Sequence, residues 1–232
     1  MSTESPILVI AMERATGSRT ANGIEATAHA IERHLSGYTE RVVTVCGEVV
    51  YSDLRLADSS DTEVAAAVLR VSEFVRSWRE HGVWCAGIGG PVAGDHSVPT
   101  ARVAADRTLR LLKTDPSAPR AALFSDVSFQ VALSELKDLV TAEGQESTGS
   151  VAQLAAHDRE HGTRLLETLR QWLAAFGNSA AAARKMSVPV STFRSRLRRV
   201  VAISHINLDD TSARLDAELQ MRLFHPPRAD GS

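Results

Sequence analysis

Residues 177–202 read GNSAAAARKMSVPVSTFRSRLRRVVA, and this stretch decides the architecture of the C-terminal half. Gly177 suits the left-handed end of one helix, and Asn178 or Ser179 can cap the amides that open the next. Ala180 to Met186 predicts a short helix whose alanines let a second helix cross it closely. Ser187-Val188 makes the turn. Pro189 fits the first turn of that second helix, where its missing amide breaks no bond. Val190 to Ala202 then separates into faces. Phe193, Leu197 and Val200 recur at i, i+4 and i+7 and belong to a core. Ser191, Arg194, Ser195 and Arg198 form the opposing stripe, with Thr192, Arg196 and Arg199 beside it. The pattern reads as helix, short turn, helix.

Charge sharpens that reading. The 41 residues from Thr168 to Leu208 contain no Asp or Glu and seven basic residues: Arg170, Arg184, Lys185, Arg194, Arg196, Arg198 and Arg199. The chain as a whole carries −2, so the other 191 residues carry −9. The positive field is therefore local, and a compact basic patch on a two-helix unit suits a polyanion, here double-stranded DNA. In helix-turn-helix docking the N-terminal part of the second helix enters the major groove. Ser191, Thr192, Arg194 and Ser195 are then expected near base edges, where arginine can bridge guanine O6 and N7. Arg184, Lys185, Arg196, Arg198 and Arg199 are expected on phosphates, which add affinity without sequence information. An arginine-rich solvated helix in an ordinary bundle would also show a charge run. The missing acids, the alanine-rich partner helix and the proline-initiated second helix weigh against it.

Working outward, the N-terminal half alternates strand and helix patterns. Ile7 to Ala11 is a buried-strand run, and Asn22 to Leu35 has helical spacing closed by Gly37. Arg41 to Val45 and Val49 to Leu54 flank Gly47-Glu48 as a hairpin. Asp61 to Trp78 is a helix with Val64, Val68, Val71, Val75 and Trp78 on one stripe. Val83 to Ile88 is a strand, and Gly89 to Gly94 reads as a flexible strand-to-helix loop. Thr100 to Lys113 is a helix burying Val103, Leu109 and Leu112, and Ala121 to Phe124 is a last strand. The order β-α-β-β-α-β predicts an α+β fold: a ferredoxin-like or palm-type N-terminal domain followed by an all-α helix-turn-helix domain. Expected bounds are 1–126 for the first domain, 127–150 for a connecting helix and linker, 151–225 for the second domain, and 226–232 for a disordered tail. From Val151 the period is helical throughout, with Leu154, Leu165, Leu166, Leu169, Leu173 and Phe176 as apolar positions.

Composition is that of a globular protein, with 44% hydrophobic and 23% charged residues. High Ala and Arg with scarce Lys fit a GC-rich bacterial genome. Cys46 and Cys85 sit in apolar runs and are expected to be buried, reduced thiols. No apolar run reaches spanning length, and Met1 to Ser5 has no leader-like character, so no membrane partner and a cytoplasmic location are expected.

Rival motifs are weaker. His157-Asp158-Arg159-Glu160-His161 matches H-x-x-E-H, which on a helix puts two imidazoles on one face with Glu160 as base, a zinc-hydrolase pattern. Short matches arise by chance, and a third ligand is lacking through the acid-free window. Gly87 to Gly94 fits neither a dinucleotide fingerprint nor a P-loop, because Val92 replaces the last glycine and no Lys-Ser/Thr follows. Asp106, Asp126 and Asp138 form no spaced acid–base pair. Trp78, Trp84 and Trp172 sit at core-like positions and offer no base-stacking surface.

From Leu154 to Leu223 the chain resembles the C-terminal helix-turn-helix of the PucR/CdaR family of bacterial transcription regulators. The resemblance rests on Leu154, His157-Asp158, Gly162, Leu165-Leu166, Thr168-Leu169, Trp172-Leu173, Asn178, Ala183, Val188, Thr192-Phe193-Arg194, Arg196-Leu197 and Leu208. Met186 replaces the usual leucine. Pro189, Ser191-Thr192 and Ser195-Arg196 stand where the family usually has His, Asn-Thr and Tyr-Arg, and the usual glycine falls at Ser204 or His205. The N-terminal half resembles the degenerate GGDEF-like domain of the same family, chiefly through Ala86 to Val92 and Ala101 to Leu112. That resemblance implies a palm-type fold related to nucleotide cyclases. Only Glu13 and Glu48 remain near the metal-binding places, so no enzymatic activity, no cofactor and no metal are expected. Many family members carry a further sensory domain, and none is expected ahead of Pro6. A homodimer is expected because two half-sites multiply the specificity of a helix-turn-helix, and a small-molecule effector remains open. The alternatives are a degenerate member acting through protein contacts without DNA, and a zinc-dependent hydrolase using His157 and His161.

Overall fold

The computed structural model describes residues 5–16, 21–38, 41–78, 82–115, 118–144 and 148–225. The expected tail 226–232 lies outside the described residues. The chain divides into two compact units, Met1–Ser134 and Glu135–Ser232.

The first unit runs β1 (Pro6–Thr16), α1 (Ala21–His34), β2 (Arg41–Cys46), β3 (Val49–Arg55), α2 (Asp61–Ser77), β4 (Val83–Ala93), α3 (Val98–Thr114), β5 (Ala121–Leu123) and α4 (Phe124–Ala142). The helix α4 crosses the division between units. The sheet order is β2-β3-β1-β4-β5. β1 pairs antiparallel with β3 and β4, β2 pairs antiparallel with β3, and β5 alone runs parallel, to β4. Period-2 alternation sorts β1 to two cores. Leu8, Ile10 and Met12 pack with Ile31 of α1, Leu35 just after it, and Val71, Phe74 and Val75 of α2. Val9 and Ala11 pack with Ala101, Ala105, Leu109 and Leu112 of α3. Burial on both faces explains why Ile7 to Met12 is apolar without a break. The hairpin turns where expected, with Gly47 at φ 62°. Ser60 caps α2, its Oγ accepting from Glu63 N at 3.3 Å.

Three expectations in this unit are corrected. Gly89 to Gly94 is not a loop up to Ala93: β4 continues through it, with Ile7 opposite Val92 and Pro6 opposite Ala93. The glycines serve packing. A Cβ on Gly89 would lie 1.9 Å from the Ala101 carbonyl oxygen, and one on Gly87 2.2 Å from that of Ala105. Helix α3 therefore rests directly on bare backbone, which brings its alanine face inward. Val103 is turned outward by the same geometry and is 57% exposed, while Ala101, Ala105, Thr108, Leu109 and Leu112 form the buried stripe. Cys46 is exposed on the edge strand β2, whereas Cys85 is buried as expected.

The second unit is helical: α5 (Ser150–His161), α6 (Leu165–Ala174), α7 (Ser179–Lys185), α8 (Val190–Ser204) and α9 (Thr211–Phe224). Val151, Leu154, Leu165, Leu169, Val200, Ile206, Ala217 and Met221 make its main core. A smaller core joins Trp172, Ala182, Ala183 and Phe193. Phe176, expected among the apolar core positions, is 98% exposed. Helix α6 has already ended at Ala174, and the left-handed backbone of Phe176 (φ 51°) swings the ring outward. No helix among the described residues is long and apolar enough to cross a membrane.

Candidate nucleic-acid interface

The interface is assembled from α7, the turn after it, and α8. Asn178 caps α7, its Oδ1 accepting from Ala180 N and Ala181 N, each at 3.0 Å. Such a cap stabilises a helix by about 1 kcal/mol, which matters for one of only seven residues. Gly177 before it is left-handed (φ 82°) and sits against Trp172. Ala182 and Ala183 are fully buried against Phe193, so the alanine run is the close-crossing face. The turn is closed by Val188 N donating to Ala183 O at 3.1 Å and Ser187 N donating to Arg184 O at 3.1 Å. Ser187 takes the left-handed conformation there, at φ 53°. Pro189 stands one place earlier than expected, as the N-cap of α8 with φ −58° and ψ 145°, and its carbonyl accepts from Phe193 N at 3.0 Å.

Phe193 is fully buried in the small core, with Leu197 packed partly against it, and Val200 is fully buried in the main core. Losing the Phe193 ring would cost about 3–5 kcal/mol, so the inward face fixes the rotation of α8. The outward face then carries Ser191, Thr192, Arg194, Ser195, Arg198 and Arg199 exposed, with Arg196 half-buried at its edge. Arg184 and Lys185 at the end of α7 are exposed as well. Among the described residues none of these six basic side chains enters an ion pair or side-chain hydrogen bond. Arg170, the seventh of the window, differs: it donates to Glu167 Oε2 and to the His225 carbonyl oxygen, both at 2.6 Å. It ties α6 to the end of α9 and is a structural residue. The nearby His225 imidazole is held below its usual pKa by burial and then by the charges of Arg159 and Arg170.

The H-x-x-E-H segment lies on α5 and is committed to local structure. His157 and His161 stack with ring centroids 4.2 Å apart. Asp158 caps α6: its Oδ1 accepts from Leu165 N at 2.8 Å and its Oδ2 from Leu166 N at 2.9 Å. The Thr163 hydroxyl also donates to Asp158, and His157 Nδ1 lies 3.1 Å from that hydroxyl. Its proton being given to Asp158, Thr163 Oγ1 can only accept from the imidazole, which fixes the Nδ1–H tautomer. Among the described residues no group of three or more His, Cys, Asp or Glu is arranged to hold a metal ion. In the first unit, Asp106 accepts from the Tyr51 hydroxyl at 2.7 Å, and Arg102 stacks over the same ring at 3.7 Å. Burial, and then this hydrogen bond, push the Tyr51 hydroxyl pKa up. Glu13 is ion-paired with Lys113 of α3.

Two residues absent from the sequence-derived set join the interface. The turn between α5 and α6 brings Thr163 and Arg164 against Ser195, Arg196 and Arg199, around a cleft of about 330 Å³ that Gly162 and Leu165 also line. Ser195 lies 31 positions along the chain from Arg164, so no local spacing could have paired them.

Residues 165–223 match the family model of the PucR C-terminal helix-turn-helix domain, a span that runs from the start of α6 almost to the end of α9. Residues 165–223 are thus similar to a helix-turn-helix of the PucR type, and every residue expected at the DNA lies inside the matched span. A stretch of 76 residues is 29% identical to the DNA-binding transcriptional activator AdeR of Bacillus subtilis (strain 168), covering 33% of this chain and 18% of that protein. A crystal structure of a regulator of polyketide synthase expression from Bifidobacterium adolescentis aligns over 96% of this chain and 81% of its own, with a TM-score of 0.39 and 13% identity. That overlap is too loose to bear on fold or function.

Proposed function

We propose that the protein is a transcription regulator that binds double-stranded DNA, with the N-terminal part of α8 in the major groove. The observation that carries this reading is the row of unpaired guanidinium groups on α8, rotated outward by the burial of Phe193 and Val200. Had Arg194, Arg196, Arg198 and Arg199 been spent on internal carboxylates, as Arg170 is, no phosphate could recruit them. Ser191, Thr192, Arg194 and Ser195 read base edges in this account, and Arg184, Lys185, Arg196, Arg198 and Arg199 hold phosphates. The match to a PucR-type helix-turn-helix and the likeness to a DNA-binding activator support it.

The first unit is assigned to dimerisation, to effector sensing, or to both. Its β-α-β-β-α-β order and the β4-β1-β3-β2 strand neighbours support a ferredoxin-like, palm-type core, to which α3 and β5 are additions. Catalysis of the cyclase kind finds no support there, because the surviving acid of β1, Glu13, already serves Lys113.

The test is a titration of duplex fragments against salt. Several phosphate contacts require log affinity to fall linearly with log salt, with a slope of about −0.9 per phosphate. Replacing Arg196 or Arg199 by Ala should weaken binding to all sequences alike. Replacing Arg194 should relax preference at one position, at a cost of about 1–3 kcal/mol against the wrong base. A flat salt response, or no duplex bound from a genomic fragment pool, removes the proposal.

A further inference from the structure

The α8 arginines leave the helix on two flanks. At 3.6 residues per turn, Arg194 and Arg198 share one side of the exposed stripe, and Arg196 and Arg199 share the other. The second pair does not face open solvent alone. Opposite it stands the α5–α6 turn with Thr163 and Arg164, and the two walls enclose the cleft of about 330 Å³. Its lining side chains carry three positive charges and no negative one. Asp158 lies behind the turn, but its carboxylate is already engaged by Thr163 and by the Leu165 and Leu166 amides. Those same bonds withdraw the first amides of α6 from any ligand, so the arginines must do the binding.

The Arg164 backbone caps α6, but its side chain has no structural duty. Its carbonyl accepts from Thr168 N at 3.0 Å and Thr168 Oγ1 at 2.7 Å, while its exposed guanidinium pairs with nothing among the described residues. Three arginines lining one cleft without a carboxylate among them leave their charge open to an anion. Their planar forks match the oxygens of a phosphate group, to which arginine can donate two parallel hydrogen bonds.

Resting on the proposed DNA-binding function, we propose that Arg164, Arg196 and Arg199 form a clamp for one backbone phosphodiester of the bound duplex. The DNA contact thereby extends from the two-helix unit to the α5–α6 turn. Thr163 lines the same wall, but its hydroxyl proton is already given to Asp158, so the guanidinium groups are the donors there. The site selects phosphate chemistry, which a free phosphorylated molecule shares with DNA, and the experiment separates the two sources.

The full chain and its R164A and R164K variants are titrated with one duplex over a range of salt. Loss of one cation from the clamp should shrink the salt slope by about 1 and weaken binding about five- to tenfold near 0.1 M salt, equally for specific and nonspecific duplexes. R164K should recover part of that loss, and thermal unfolding of both variants should match the parent chain. An R164A protein that binds with the parent slope overturns the clamp while leaving the DNA-binding function standing. A parent chain that binds no duplex removes both. Inorganic phosphate is titrated into the DNA-free protein as a third arm. Saturable binding that R164A abolishes would assign the cleft to a small phosphorylated ligand and overturn the backbone clamp.

Discussion

His205 ends α8 in the left-handed conformation, φ 55°, with its amide donating to Val201 O at 2.9 Å. A residue with a Cβ is disfavoured there by about 1–2 kcal/mol. Glycine removes that strain but loses more entropy on folding, about 0.4–1 kcal/mol. The balance predicts that H205G stabilises the C-terminal unit by about 0.5–1 kcal/mol, read as a higher urea midpoint, and leaves duplex affinity unchanged. A lower midpoint would mean that the imidazole holds the helix end in some other way. The resemblance had left the family's glycine position open between Ser204 and His205. Backbone geometry assigns it to His205, because Ser204 is helical, buried, and donates its hydroxyl to Val200 O at 2.8 Å. Residue-level legibility was best where a side chain has one physical reason to be where it is. Phe193, Val200, Asn178 and the exposed arginines are of that kind. Phe176 misled because apolar character outweighed the terminating signal of the Gly177 beside it.

At the scale of elements, periodicity located the strands and helices of both units, and errors gathered where packing rather than pattern decides. Nothing local in Gly87 to Gly94 distinguishes a glycine-rich loop from a strand stripped for close contact. Only the seating of α3 on β4 makes that difference, and that contact joins residues apart in sequence. The same contact corrected one position on the expected face of α3: Leu109 and Leu112 are buried as expected, but Ala101 and Ala105 fit over bare backbone where Val103 would not. Gly89 therefore carries a definite expectation. A methyl there would overlap backbone oxygen at 1.9 Å, and backbone cannot rotate away as a flexible side chain would. G89A should destabilise the first unit by about 2–3 kcal/mol, at the upper end of the usual overpacking cost. Hydrogen exchange of the β4 amides should accelerate accordingly, while exchange in α7 and α8 stays as it was. Unchanged β4 exchange would show that α3 can lift without penalty, contrary to the close seating.

Across the whole molecule, charge is divided. The basic window holds seven positive charges while the remaining residues sum to −9, so the positive charge is concentrated in the stretch that the proposed function puts at the duplex. A single helix of this size reads few base pairs, and a dimer would multiply that specificity by engaging two half-sites. If the first unit supplies the dimer contact proposed for it, half-site spacing becomes a ruler of the assembly. Half-sites on one face of B-DNA lie about 10 base pairs, or 34 Å, apart. Inserting about 5 base pairs between them turns one half-site to the opposite face, and affinity should fall toward that of an isolated half-site. Inserting about 10 restores the facing but not the distance, so recovery measures how far the two helix-turn-helix units can separate. Affinity indifferent to every insertion would mean that each chain binds alone, and the regulator would then have to draw its specificity from Arg194 and its neighbours within a single major-groove contact.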